Sequence, residues 1–105
     1  MQSTPAKGPD DVKENLPGHL AYQADLERLG HLAFAGPMSD ETGEHMQSVG
    51  LIIYRAESLD AAHQFAEDDP MHKSGARSFV LRRWLINEGS VNLSLGLSTG
   101  WSSLS

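Results

Sequence analysis

The stretch from Val49 to Tyr54 constrains the fold most, because it is almost wholly apolar, with large aliphatic residues at Val49, Leu51, Ile52 and Ile53. A continuous apolar run of this length is typical of a β-strand that is covered on both of its faces. Such a strand needs other layers around it. The chain has 105 residues, which is enough for one domain with a single modest core.

Helix and strand patterns alternate in the residues before this strand. The spacing of apolar residues predicts a first helix over about Leu16–Leu29, with Pro17 in its first turn and Gly30 at its end. The apolar run His31–Ala35 predicts a strand that Gly36-Pro37 ends. The polar stretch Ser39–Gln47 predicts a loop between two strands.

A second helix and two further strands are predicted after Tyr54. Ser58 is a good helix N-cap, and Asp69-Pro70 ends the helix because the residue before proline avoids the helical conformation. Ser78–Ile86 predicts a third strand. Val91–Leu97 alternates apolar with small or polar residues, which predicts a half-buried strand at a sheet edge.

This order of elements indicates an α+β protein with a ferredoxin-like sandwich of the βαββαβ type. That unit has one more strand before the first helix, whereas residues 1–11 indicate an irregular lead-in and Met1–Thr4 is too short for a full strand. Two alternatives follow. Either only the tail of the first strand is present, or the Val91–Leu97 strand replaces it at the edge.

A sheet with helices on one face leaves its other face apolar, and two such faces can bury each other. We therefore expect a homodimer, with a higher oligomer left open. The contact would be supplied by Leu51, Ile53, Phe79 and Leu81, or by the alternate set of strand residues.

Composition excludes several classes of protein. The chain carries 14 acidic and 8 basic residues, and no basic stripe, so we do not expect a nucleic-acid partner. It has no cysteine, which excludes disulfides and thiolate metal sites. No apolar run approaches the roughly 20 residues of a membrane span, and the first residues lack the apolar segment of a secretion signal. We expect a cytoplasmic protein without a membrane partner.

His19 is the best candidate for chemistry that the residue pattern offers. It lies on the inward face of the predicted first helix, together with Tyr22, Leu26 and Leu29. Histidine can accept and donate a proton near neutral pH, and the positive end of a helix would favour its neutral form. The alternative is a buried histidine that only bonds to a backbone carbonyl.

Five short motifs, in order along the chain, carry a resemblance to a known family. They are Pro17-Gly-His19-Leu-Ala-Tyr22, Leu29-Gly30, Ala35-Gly36-Pro37, Asp69-Pro70 and Arg82-Arg-Trp84. Together they resemble the YciI-like (YCII-related) family of the dimeric α/β-barrel, ferredoxin-like superfamily. The resemblance covers about residues 16–84 of a single domain over residues 1–105, and residues 87–105 form a C-terminal extension with an extra strand. Two departures are the missing or truncated first strand and Arg83, where the family often has proline.

The resemblance implies a fold similar to that of muconolactone isomerases and of a related chloromuconolactone dehalogenase. It also implies a catalytic pair formed by His19 and Asp69. The alternative for Asp69 is a carboxylate that only caps the turn where the second helix ends. Arg82 and Trp84 would bind a planar or carboxylate-bearing substrate. The alternative is that Arg82 is an edge residue and Trp84 a core residue. Tyr22 would line the same pocket or belong to the core.

Two functions from different classes follow. The first is an enzyme of the isomerase or lyase type, which uses the His19–Asp69 pair on a small organic acid or lactone. The second is a non-catalytic dimeric module that binds a small ligand or has an accessory role. Under both functions the expected partner is a small molecule, with an anionic one considered. No cofactor is implied. His19, Asp69 and His72 could supply three metal ligands, but the chain has no metal-binding spacing such as HExxH, so we expect no metal site.

Overall fold

The structure is a computed structural model that describes residues 1–100 and 102–104. For residues 47, 48 and 102–104 it describes the backbone only. The elements in chain order are β1 (Gln2–Pro5), α1 (Pro9–Arg28), β2 (Leu32–Ser39), β3 (Met46–Tyr54), α2 (Leu59–Asp68), α3 (Pro70–Lys73), β4 (Arg77–Val80), β5 (Leu93–Leu95) and β6 (Ser102–Leu104). Across the described residues, no helix is both long and apolar enough to cross a bilayer.

A ferredoxin-like α+β sandwich, as predicted, is formed by β1, α1, β2, β3, α2 and β4, with α3 inserted between α2 and β4. Its antiparallel sheet has the order β2-β3-β1-β4, so β1 pairs with both β3 and β4. The first strand is therefore present in shortened form, and no C-terminal strand replaces it within the described residues. Two flanking partners supply hydrogen bonds on both sides of this short segment, which is why it is a strand although its residues show no strand pattern.

All three helices pack against one face of this sheet. Ser3 lies opposite Gly50 on one side and Phe79 on the other, so these residues share a face. The Phe79 ring contacts the rings of His63 on α2 and His72 on α3. The core of this layer contains Leu26, Ile52, Ala66, Met71 and Ala76, each at most 5% exposed.

The opposite face of the sheet is open in the single chain. Gln2 lies opposite Leu51 and Val80, so these residues point away from the helices. Leu51 is 37% exposed and Val80 is 60% exposed. One of the two predicted contact sets placed Leu51 and Phe79 on the same face. This set is wrong, because Phe79 faces the helices.

The first helix begins at Pro9, about two turns earlier than predicted. Gly8 is extended, Pro9 occupies the first turn, and Asp10 and Asp11 lie at the positive end of the helix. Pro17 lies inside the helix and removes only one backbone donor there. The irregular lead-in predicted over residues 1–11 is thus wrong.

The strand β2 continues to Ser39, past the Gly36-Pro37 pair that was predicted to end it. It lies at the edge of the sheet and pairs only with β3. An edge strand tolerates proline because one of its sides makes no ladder hydrogen bonds. The predicted loop over Ser39–Gln47 is correspondingly shorter.

The two predicted C-terminal strands are shorter than their sequence patterns. The strand predicted over Ser78–Ile86 ends at Val80, because its partner β1 begins at Gln2, directly opposite. The strand predicted over Val91–Leu97 is reduced to β5, which pairs with β6 in a separate two-stranded sheet. It is exposed rather than half-buried, with Leu95 63% exposed.

Candidate active site

His19 lies in the middle of α1, two residues after Pro17. Its side chain is 17% exposed and therefore sits at the border between the interior and solvent. The influence of a helix dipole fades beyond the first turn. The prediction that His19 lies near the positive end of its helix is therefore wrong, because α1 begins ten residues earlier, at Pro9.

Gly18 sets the distance between α1 and the segment that carries Asp69. A Cβ atom placed on Gly18 would lie 3.4 Å from Cγ and 3.5 Å from Cβ of Pro70. These are ordinary van der Waals contacts, so the backbone of α1 packs directly against the Pro70 ring. The close approach places His19 beside Asp69.

Asp69 is fully buried and receives two kinds of donor. Its Oδ2 lies 2.8 Å and its Oδ1 2.9 Å from His19 Nδ1. The backbone N–H of Met71 donates to Oδ1 at 2.9 Å. Asp69 thus caps the start of α3 and binds the histidine at the same time, so it does not only cap the turn, and its catalytic role stays a prediction.

The Asp69 contact determines which nitrogen of neutral His19 carries the proton. An ionised carboxylate only accepts hydrogen bonds, so Nδ1 must be the donor. The lone pair then lies on Nε2, which makes no hydrogen bond to another described residue. An imidazole oriented by a carboxylate, with its second nitrogen unoccupied, is the arrangement used by general bases.

Tyr22 lies one turn after His19 and connects two helices. Its hydroxyl donates a hydrogen bond of 2.7 Å to the backbone carbonyl of Phe65 on α2. Burial raises the pKa of Tyr22 to about 12, with further contributions from the carboxylates of Asp68 and Asp69. The phenol is therefore neutral at pH 7. Its hydroxyl is occupied by a structural contact, while its substrate-binding role stays a prediction.

Tyr54 also lies in this region, although it was not among the site residues predicted from the sequence. Its hydroxyl is buried and has no hydrogen-bond partner among the described residues. Burial raises the pKa of Tyr54, and the charge of Asp69 raises it further. The ring packs 5.8 Å from that of Phe65. The sequence feature that could have pointed to Tyr54 is its position, since a hydroxyl-bearing residue ends an otherwise apolar strand.

A second polar cluster lies beneath α3. His72 bonds through Nδ1 to the Ala66 carbonyl at 2.8 Å and through Nε2 to Ser3 Oγ at 2.7 Å. Arg77 donates to the same Ser3 Oγ at 2.9 Å. Since Nδ1 faces a carbonyl, it carries the proton, and Nε2 accepts from the serine hydroxyl. Burial is the main cause that lowers the pKa of His72.

No group of three metal-ligating side chains is found in the part of the chain that the structure describes. His72, which was considered beside His19 and Asp69, has both ring nitrogens in hydrogen bonds to Ala66 and Ser3. A metal ion at this position would have to displace one of these contacts.

Arg82 and Trp84 lie in a different place from the His19–Asp69 pair. Both line a wide cavity of about 1230 Å³ at one end of the sheet, and Tyr54 lines it as well. Neither His19 nor Asp69 belongs to the lining of this cavity. The structure thus places Arg82 and Trp84 apart from His19 and Asp69.

Together these features describe a small ferredoxin-like α+β protein with a buried carboxylate–histidine pair between α1 and α3. The YCII-related domain matches residues 1–85, and the chain belongs to this family. The chain is 28% identical over 76 residues to the uncharacterized protein YjpA of Bacillus subtilis strain 168. That match covers 72% of this chain and 82% of YjpA.

A solved structure shows the same fold. It is the 5-chloro-2-hydroxyhydroquinone dehydrochlorinase TftG of Burkholderia phenoliruptrix AC1100, in complex with 2,5-dihydroxybenzoquinone. The TM-score is 0.55 and the sequence identity is 25%. The match covers 82% of this chain and 93% of TftG.

Proposed function

We propose that this protein is a small-molecule enzyme that uses His19 and Asp69 for acid–base chemistry. The observation that carries the proposal is the 2.8 Å contact between His19 Nδ1 and the fully buried Asp69 carboxylate. This contact leaves Nε2 as a base and provides a negative charge that stabilises the imidazolium after proton transfer. No other pair of a histidine and a buried carboxylate is found among the described residues.

The reaction class that we propose is an isomerisation or an elimination on a small organic acid or lactone. Nε2 of His19 would take a proton from the substrate, and the same proton would return at another atom or leave with the departing group. The solved relative is a dehydrochlorinase of a hydroxylated, chlorinated ring, which supports elimination as a chemistry of this fold. In this proposal the ring of Tyr22 lies beside the substrate, one helical turn from His19.

Proton exchange offers a test that does not depend on the final product. The protein is incubated in D₂O with a panel of small organic acids and lactones and with 5-chloro-2-hydroxyhydroquinone, and NMR follows the loss of C–H signals. Chloride release is measured for the chlorinated compound. We expect exchange or release with at least one compound, and His19→Gln should slow it by roughly 100-fold or more. Equal rates for the variant and the wild type would refute the role of His19.

The alternative function is a module that binds a small ligand without converting it. One observation favours keeping it: Arg82 and Trp84 line a large cavity to which the acid–base pair does not contribute. Under this alternative, no compound of the panel exchanges or reacts, and His19→Ala retains full affinity for any compound that binds. The two functions therefore predict different effects of replacing His19.

A further inference from the structure

The imidazole of His72 lies at the centre of a hydrogen-bond network beneath α3. Its Nδ1 donates to the Ala66 carbonyl on α2, and its Nε2 accepts from the Ser3 hydroxyl on β1. Arg77 on β4 donates from Nε to the same hydroxyl oxygen at 2.9 Å and from Nη2 to the Ser3 carbonyl at 2.7 Å. The His72 side chain therefore ties α3 to α2 and β1 directly, and to β4 through Ser3.

The backbone of α3 joins this network to the His19–Asp69 pair. The N–H groups of His72 and Lys73 both donate to the Asp69 carbonyl, at 2.9 and 2.8 Å. The Asp69 side chain in turn accepts from the Met71 N–H and contacts His19. A helix of four residues is not stable by itself, so these contacts hold it in place. A shift of His72 would therefore move Asp69 relative to α1.

The network accommodates only the neutral form of His72. A serine hydroxyl offers one donor and two acceptor positions. The Ser3 oxygen accepts from Arg77 and its hydrogen is directed at His72 Nε2, so a proton on Nε2 would place two donors face to face. Ser3 is 3% exposed, and its displaced hydrogen would need a new acceptor in the interior. A buried donor without an acceptor is unfavourable, and the new charge would also lie beside the Arg77 guanidinium.

Several titratable or charged side chains approach His72 from the elements around it. They are His19 on α1, Asp69 ahead of α3, Arg77 on β4, and His63 on α2, which shares the contact with the Phe79 ring and pairs with Glu67. Burial is the largest influence and lowers the pKa of His72. Asp69 raises this pKa, whereas His19 and Arg77 lower it further.

We propose that His72 is a positioning residue of the acid–base pair. In its neutral form it holds α3 where Asp69 orients His19. Uptake of a proton at Nε2 releases α3 and withdraws the Asp69 carboxylate from His19, so the pair loses its orienting group at acidic pH. The effect on reaction rate rests on the proposed acid–base function, whereas the effect on the Asp69 contact requires no substrate.

Amide hydrogen exchange measures the Asp69 contact directly. The Met71 N–H donates to Asp69 Oδ1, so its protection factor reports whether the carboxylate stays in place. Between pH 7.5 and pH 5 we expect this factor to fall about tenfold in the wild type. It should stay constant in His72→Gln, whose side chain takes up no proton. The His31 N–H, which donates to the Leu26 carbonyl at the end of α1, is the internal reference and should lose less protection.

The pH dependence of the rate gives a second readout. The measured rate is chloride release from 5-chloro-2-hydroxyhydroquinone, or C–H exchange of the most reactive compound in the panel. In the wild type, protonation of His19 and of His72 both stop the reaction, so the rate should fall about 100-fold per pH unit at acidic pH. In His72→Gln only His19 titrates, and the fall should be about tenfold per unit. His63→Gln, an exposed histidine on α2, is the matched control and should keep the wild-type slope.

Three outcomes would overturn the proposal. They are a Met71 protection factor that does not change with pH in the wild type, equal losses of protection at Met71 and His31, and equal pH slopes for the wild type and His72→Gln. Should His72→Gln not fold, His72→Asn replaces it, because it keeps a donor towards the Ala66 carbonyl. If no compound reacts, the proposed function fails, while the Met71 amide still decides the role of His72.

Discussion

At the scale of single residues, the site depends on one carboxylate among several. Asp68 and Asp69 are adjacent, but only Asp69 is buried and bound to His19. The side chain of Asp68 accepts a hydrogen bond from Gln64 at the surface. The difference arises because α2 ends at Asp68 and the chain turns inward at Asp69, whose backbone is extended ahead of Pro70.

This difference predicts opposite results for two similar substitutions. Asp69→Asn can place an amide donor against Nδ1, which would move the proton of neutral His19 to Nε2 and remove the base. We expect ¹⁵N NMR to show the change of tautomer, and any proton exchange to fall by roughly 100-fold or more. Asp68→Asn should change neither quantity. An unchanged His19 spectrum in Asp69→Asn would contradict the assignment.

The two tyrosines near the pair also predict opposite effects on stability. Tyr54→Phe removes a buried hydroxyl without a partner among the described residues, so the free energy of unfolding should rise by about 1 kcal/mol. Tyr22→Phe breaks the bond to the Phe65 carbonyl and should lower it by about 1 kcal/mol. Urea denaturation measures both. A loss of stability in Tyr54→Phe would show that its hydroxyl has a partner in solution.

At the scale of elements, the short helix α3 joins the helical layer to the sheet. Asp69 precedes it and binds α1, while His72 within it binds Ser3 on β1 and the Ala66 carbonyl on α2. Arg77 on β4 reaches the same Ser3 side chain. A four-residue helix thus connects elements that are far apart in the sequence, and its contacts depend on a neutral His72.

His72 should make stability depend on pH. Burial lowers the pKa of His72 below the ordinary value of 6.5, so the unfolded chain takes up this proton at a higher pH than the folded chain. The stabilisation from neutral His72 is therefore complete above about pH 6.5 and is lost as the pH falls below it. Arg77 opposes protonation and Asp69 favours it, but the burial effect is larger.

The prediction can be checked by denaturation between pH 7.5 and pH 5. The free energy of unfolding should fall less steeply with decreasing pH in His72→Gln than in the wild type. His63→Gln is a matched control, because His63 is exposed and pairs with Glu67 on the surface of α2. Identical pH slopes for His72→Gln and the wild type would contradict the prediction.

At the scale of the whole molecule, the open face of the sheet is an apolar surface that the helices do not cover. We propose that it mediates a homodimer, since two such faces can bury each other. Exposed Leu51 lies on the inner strand β3, and exposed Phe34 and Val80 lie on the edge strands β2 and β4.

Sedimentation analysis at micromolar concentration tests the dimer. The wild type should sediment as a dimer, whereas Leu51→Lys should be a monomer with an unchanged circular dichroism spectrum, because a charge would be placed in the contact. Leu29→Lys is the control, since Leu29 is 67% exposed at the end of α1, away from this face. A monomeric wild type would refute the proposal.

Local chemistry in the sequence determined much of this fold. The N-cap at Ser58, the end of α1 before Gly30 and the break at Asp69-Pro70 are all present as predicted, because each depends on neighbouring backbone groups. The α+β class and the ferredoxin-like order of elements also followed from the pattern. Residues of the site were selected from the sequence and from the family resemblance, and their roles remain predictions.

Only the tertiary structure decided which of these residues meet. The contact between His19 and Asp69 spans 50 positions and requires α1 to pack on Pro70 through Gly18. Arg82 lines another cavity, and the Tyr54 hydroxyl is buried. The short strand β1 exists because β3 and β4 flank it. Such contacts depend on strand register and on the packing of helices against the sheet, which no local stretch of sequence encodes.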